Sequence, residues 1–486
     1  MTMLPSSVTP ERVDTRDAGI PPAPRVAAPT QSGPPLNPLT RAMLEAPPFP
    51  LLLRMASPNA LAFLVQASVS MAEAWFIAQL GMTPLAAIAL MFPALMLMQM
   101  LANGAMGGAV SSAIARALGR GDRGAAESLV WHALAIALGA ALLFTALYFA
   151  CGPWLLAQTG APAAVTNEAA RYGSVLFAGT IPIWTTALLS SVVRGSGNMK
   201  LPALLMIGGS ALQVPLSGAL ILGWFGLPAL GLAGSAIAVI VVAVLTTGLL
   251  LMRLARPDAA VRLAVRAFVL RKAHFADIFR VGLLAALSPL FVVLTISALN
   301  VLISGFGVAA LAGYGIVARL EFLLVPMIFG IGAALTAMVG VNMGAGNVAR
   351  AERIGWLGGF TAAGLTGTVG LLLAVAPGLW LDLFTADAAS WRAGALYLAI
   401  VGPVFLFQGL GLSLYFASQG AGTVAWPVIA TILRFVVCVG GATIGVELFG
   451  RQLGFVYACI AAGMVLYGAL TAAAVALGAW RRRSAW

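Results

Sequence analysis

Two carboxylates stand where charge is costly. The chain of 486 residues has only fifteen Asp and Glu, and just Glu73 and Glu321 fall inside long apolar segments. An ionisable group at such a depth is expensive to keep, so it marks an ion or substrate pathway by default. A desolvated carboxyl group can take up a proton near neutral pH and release it when water returns. It can also ligate Na⁺, a hard cation that prefers oxygen. At 100° per residue, Asn59, Gln66, Ser70 and Glu73 fall within roughly 60° of one helix face. That polar stripe calls for a water-filled cavity or a neighbouring helix, not lipid. The competing reading puts Glu73 near the membrane surface, merely solvated, because Gly81 follows so soon. Glu321 shares a face with Tyr314, seven residues earlier. Arg319 is a poor partner for it, since i,i+2 pairs do not face each other on a helix. Glu321 is therefore either a substrate or ion carboxylate, or a structural acid paired with an Arg such as Arg434.

The elements that position these groups must be membrane spans. The chain is 61% hydrophobic and 9% charged, with a mean hydropathy of +1.00. Soluble domains carry about 25% charged residues. A soluble enzyme is excluded, and so is a disordered chain except locally. Twelve apolar segments follow one another from Leu51 to residue 479, the fourth over 169–191. Each has the ~20 residues that cross a bilayer. Only helices satisfy the backbone there, given segments of this length. The expected class is an all-α integral membrane protein.

Charge placement supports the count. Of 27 Lys and Arg, 22 fall in the tail, the even–odd loops and the C-terminus, and three (Arg171, Arg392, Arg451) in the opposite loops. By the positive-inside rule both termini are expected in the cytoplasm. The net charge of +12 is thus a topology signal, and no nucleic-acid partner is expected. Residues 1–50 hold twelve of the 27 prolines and read as a disordered cytoplasmic tail without signal-peptide features. The basic stretch 253–275 reads as a linker between two halves, 51–252 and 276–486. Cys151, Cys438 and Cys459 are isolated, and His132 and His274 are far apart in sequence, so no metal site is expected. No nucleophile or His/Asp constellation suggests an enzyme.

The halves repeat. Gly195-Ser-Gly197 before Pro202 matches Gly420-Ala-Gly422 before Pro427, at an offset of 225. Leu118-Gly-Arg-Gly-Asp122 matches Met343-Gly-Ala-Gly-Asn347 in the same register, and Ala126-Glu127 matches Ala351-Glu352. Six spans per repeat is an even number, so the two bundles share one orientation, as parallel repeats do. The Gly-rich loops fit no phosphate-binding pattern and read as helix C-caps.

These motifs resemble the multidrug and toxic compound extrusion (MATE) family. They are Gly81-Met-Thr-Pro-Leu-Ala-Ala, Ala117-Leu-Gly-Arg-Gly-Asp122, Val193-Arg-Gly-Ser-Gly-Asn198 and Val339-Gly-Val-Asn-Met-Gly-Ala-Gly-Asn347. The resemblance implies twelve helices in two lobes, and efflux of cationic or amphipathic organic compounds in exchange for H⁺ or Na⁺. It implies that Glu73, seven residues before Leu80-Gly81, is the ion-coupling carboxylate, with Glu where the family usually has Asp. It also implies that Pro58 bends the first helix. Spans seven and ten, which hold acids in some branches, have none here beyond Asp277 at the very start of span seven. H⁺ is therefore the expected ion, with Na⁺ at Glu73 as the alternative and no other cofactor. A monomer in the inner (plasma) membrane is expected. Two other readings compete. A lipid-linked flippase of the same superfamily would want a basic cavity, and only Arg319 and Arg434 lie inside spans. A major-facilitator carrier would want a loop that Gly121-Asp-Arg-Gly124 only partly matches.

Overall fold

The computed structural model describes residues 37–450 and 452–481. Every regular element among them is a helix. A short α1 (Pro38–Glu45) precedes α2 (Pro48–Ala78), α3 (Met82–Gly119), α4 (Arg123–Ala157), α5 (Ala163–Ala178), α6 (Thr180–Gly195), α7 (Lys200–Leu222) and α8 (Leu232–Ala255). The second half comprises α9 (Lys272–Ser304), α10 (Val308–Gly344), α11 (Val348–Val375), α12 (Ala388–Ala421), α13 (Ala425–Leu448) and α14 (Leu453–Ala476). Eleven of these are long and apolar enough to span alone. The α5–α6 pair, bent by 54° at Gly179, makes the twelfth. It extends the expected fourth segment at both ends.

The repeat seen in the sequence is also built into the backbone. Gly121 and Gly346 both have φ of +75°, where a side chain would be strained. Each ends a helix as a C′ glycine: Asp122 N–H returns to Ala117 O at 3.0 Å, and Asn347 N–H to Asn342 O at 2.8 Å. The next residue then caps the following helix. Asp122 Oδ1 accepts from Ala125 N at 2.8 Å and Asn347 Oδ1 from Arg350 N at 3.3 Å. A glycine cap followed by an Asx cap turns the chain back within four residues, as the sequence reading expected of these loops.

Residues 38–50 depart from the expected disordered tail; residues 1–36 lie outside the described residues. Pro38 and Pro48 open helices because their fixed φ suits the first turn, where no N–H is needed. Asn37 caps α1 by accepting from Leu39 N at 3.0 Å. Thr40 and Met43 are buried against the bundle. Proline density here marks helix starts, not disorder.

Between α8 and α9 the chain lies along α4. Trp131 Nε1 donates to Ala264 O at 3.0 Å, and Arg271 N–H donates to His132 Nε2 at 2.9 Å. The two histidines, remote in sequence, thereby meet with ring centroids 5.0 Å apart. No group of three His, Cys, Asp or Glu able to hold a metal ion occurs among the described residues.

Candidate functional site

Glu73 sits five residues from the end of α2, facing α7. Its Oε1 accepts two hydrogen bonds, from Gln213 Nε2 at 3.0 Å and from Ser217 Oγ at 2.9 Å. Gln213 and Ser217 are four apart on α7, so they present side by side on one face. Both are buried. Tyr172 of α5 lies within electrostatic reach and shares a hydrogen bond with Ser235 of α8. Glu73 has no ion-pair partner among the described residues. Its carboxyl is held by neutral donors alone, so either protonation state can occupy the same place without leaving a buried cation unpaired.

The rest of the expected stripe does not gather round it. Gln66 is half-buried and Ser70 exposed. Asn59 is buried far down α2, where its Nδ2 lies 3.2 Å from Met199 Sδ. Pro58 is inside α2, where its ring removes the helical donor for the Arg54 carbonyl. Neither Gln213 nor Ser217 was singled out from the sequence. The only signal was a Gln and a Ser at i,i+4 within an apolar span.

In the second lobe, Glu321 Oε1 accepts from Tyr397 Oη at 2.9 Å. Tyr314 packs edge-on against Tyr397 with centroids 5.7 Å apart, and Tyr457 does so at 5.0 Å. Arg434 lies within electrostatic reach of Glu321 but donates to Gln408 Oε1 and stands over the Tyr467 ring, 5.8 Å from its centroid. Of the two readings open for Glu321, the structural one offers Arg434 as a partner, and no direct ion pair joins them among the described residues. Arg319 points elsewhere, over Phe384. Glu321 and Gln408 line a small space with Thr366 and Met464.

The lobes meet where α3 crosses α10 and α12, at the end carrying the loops after Gly119 and Gly344. Arg116 Nη2 pairs with Asp277 Oδ2 across the lobes at 2.8 Å. Arg116 also donates to Ser112 Oγ. Gln419 Nε2 reaches across to Gly104 O at 3.0 Å. Gly104 lies in a π-helical stretch of α3, Met100–Met106, whose wider turn changes the usual carbonyl pairing. At this end the lobes are joined by these polar contacts and by closely packed glycines, Gly119, Gly340 and Gly344.

Twelve apolar spans in two repeated bundles define a two-lobed membrane transporter fold. The MatE family model matches residues 58–218 and again 285–443, once in each lobe. The chain belongs to that family of multidrug efflux transporters. It is 26% identical over 393 residues to the probable multidrug resistance protein NorM of Thermotoga maritima, covering 79% of this chain and 82% of that protein. It is 26% identical over 316 residues to an FAD transporter of Shewanella oneidensis, covering 64% of this chain and 69% of that one. A solved structure described as the outward-facing conformation of a multidrug resistance MATE family transporter superposes with a TM-score of 0.84 at 25% identity. It covers 92% of this chain and is itself covered in full (100%).

Proposed function

We propose that this transporter is an antiporter that exports organic, cationic or amphipathic compounds in exchange for H⁺, with Glu73 as the coupling carboxylate. Na⁺ at Glu73 is the alternative ion. The observation that carries the proposal is the Glu73–Gln213–Ser217 cluster, a carboxyl near the end of an apolar span held only by neutral donors from another helix. Such a group can exchange a proton for each transport cycle, whereas a salt-bridged carboxylate would be pinned as the anion. Because Glu73 joins α2 to α7, a change in its protonation alters how those helices meet. Pro58 gives α2 a place to bend in response, and the N-lobe pocket changes shape. The Glu321–Tyr397 cluster holds the C-lobe side of the same pathway.

The charge pattern supports cytoplasmic termini in the inner (plasma) membrane. The sealed α3–α10 crossing is then the cytoplasmic gate, and the conformation is outward-facing. The working unit is a monomer, since each chain carries both lobes.

The test is reconstitution in liposomes loaded with a pH dye, with a cationic dye as substrate and separate H⁺ and Na⁺ gradients. Proton-driven dye movement, lost in Glu73→Gln, is expected. Sodium-driven movement would replace the ion and keep the antiporter. No gradient-driven movement of any cationic dye would overturn the reading.

A further inference from the structure

A groove of about 500 Å³ opens between α2 of the first lobe and α10 and α11 of the second. Its volume falls in the about 300–1,000 Å³ range of small-ligand sites. Ala60, Met327 and Leu365 supply apolar wall, Ser57 and Thr361 a little polarity, and Arg54 the only charge lining it. Arg54 is exposed, and no ion pair or hydrogen bond engages its side chain among the described residues. A guanidinium with no protein partner at the end of an apolar span is free to meet an anionic headgroup.

Its depth says where such a headgroup would lie. At 1.5 Å per residue, the 31-residue α2 is far longer than the ~30 Å hydrocarbon core. Arg54 is about 9 Å above the start of α2 by the same rise, at headgroup level, with the groove running inward from it. A second cation shares the seam. Arg350, Ile354, Thr361 and Leu365 fall within about 60° of one face of α11. Arg350 is held there by donating to Ala46 O, just before α2, and its buried Nε has no partner. Two guanidiniums above an apolar slot complement a phosphate with an acyl chain below it.

We propose that this groove binds an anionic phospholipid, its phosphate on Arg54 beside Arg350 and one acyl chain between α2 and α11. Basic pockets between spans at the membrane surface recognise anionic headgroups through this combination of charge and apolar wall. The site is separate from Glu73, which lies nineteen positions further along α2 and faces α7.

The full chain would be titrated in detergent with phosphatidylglycerol or phosphatidylcholine, and retained lipid counted by native mass spectrometry. Wild type is expected to retain one phosphatidylglycerol in preference to phosphatidylcholine. Arg54→Gln should lower that retention about fivefold, the scale of one basic residue near an anionic headgroup. Arg54→Lys should restore much of it, and Ser57→Phe, which fills the groove, should abolish it. Arg392→Gln, an exposed cation near the start of α12 and outside the groove lining, should leave it unchanged. Size exclusion and melting temperature check that each variant is folded; should Ser57→Phe misfold, the Arg54 pair decides alone. Equal retention of both lipids, equal loss in Arg392→Gln, or wild-type retention in Arg54→Gln would overturn the proposal. So would displacement of lipid selectivity by preferential retention of a cationic amphiphile.

Discussion

Gly119 and Gly344, 225 positions apart, face each other's lobe in the same way: a Cβ on Gly119 would overlap Val341 O, and one on Gly344 would overlap Arg116 O. Val341 and Arg116 are themselves repeat mates at the same offset. Between them Gly340 meets its own mate, Ala115, where a Cβ would stand 2.7 Å away. The pseudo-twofold axis therefore passes through the α3–α10 crossing, and the helices touch backbone to backbone there. Small residues allow such approach in membranes, where packing rather than hydrophobicity drives helix association.

Alanine at Gly119 or Gly344 should open this crossing. Overpacking of this kind costs about 1–3 kcal/mol, or about 5–150-fold in population. The cost falls on the shut state alone, because the overlap exists only across the lobes. Spin labels at Arg120 and Ala345, both exposed, should report a longer distance in either variant. Gly139→Ala and Gly364→Ala, also repeat mates but with open space at the Cβ, should leave it unchanged. Equal distances in all four variants would contradict a glycine-dependent seal.

Removing the donors to Glu73 should impair coupling without emptying the membrane of folded protein. Each hydrogen bond to a carboxylate is worth about 1.5–3 kcal/mol. Gln213→Leu and Ser217→Ala should each slow gradient-driven dye exchange in liposomes by roughly tenfold on that scale. The double variant should fall short of the product of the two, because both bond the same oxygen. Strict multiplicativity would mean that the two side chains act at separate places.

Much of this architecture could be read from the chain. Gly and Pro between apolar runs fix where spans break, and a lipid solvent leaves helices as the only way to satisfy their backbone. Gly121 and Gly346 kept their spacing because only glycine suits their positive φ. The partners of Glu73 were not legible. Gln213 and Ser217 lie 140 and 144 residues away, and which face of α7 meets α2 is a packing outcome. Nor was α1 legible, since Pro38 and Pro48 looked like disorder until their places at helix starts were known. The two carboxylates are not repeat mates: Gly81 and Gly307, 226 apart, both precede a span and have positive φ, and in that register Glu73 corresponds to Leu299, so duplication gave no guide to the site.

The Arg116–Asp277 pair should act as a clasp between lobes. Arg116 is nearly buried, with its side chain 9% exposed, while Asp277 is 36% exposed, so solvent discounts the pair's strength. Asp277→Asn should still favour the open crossing by about 1–2 kcal/mol, because the buried guanidinium loses its counter-charge. Arg116→Gln combined with Asp277→Asn should be milder than Asp277→Asn alone. The same label distance across the crossing measures both. A double variant more open than the single one would rule out the stranded-charge explanation.

The last prediction concerns α1, which touches both lobes at the shut end. Met43 is 1% exposed, and its Cε stands 2.7 Å from where a Cβ on Gly197 would be, in the loop between α6 and α7. Its backbone carbonyl accepts from Asn342 Nδ2 of α10 at 3.1 Å. One residue thus binds the N-lobe through its side chain and the C-lobe through its backbone. Met43→Ala should cost about 2–5 kcal/mol of packing. If α1 were only attached to one lobe, that loss would lower the melting temperature and leave the crossing shut. Because it bridges them, the variant should also lengthen the Arg120–Ala345 distance. Asn342→Leu, which removes the bond to Met43 O together with the one to Met338 O within α10 and leaves the Met43 side chain in place, should do so with a smaller loss of stability, about 1–3 kcal/mol. A lowered melting temperature with an unchanged distance in both variants would reduce α1 to packing.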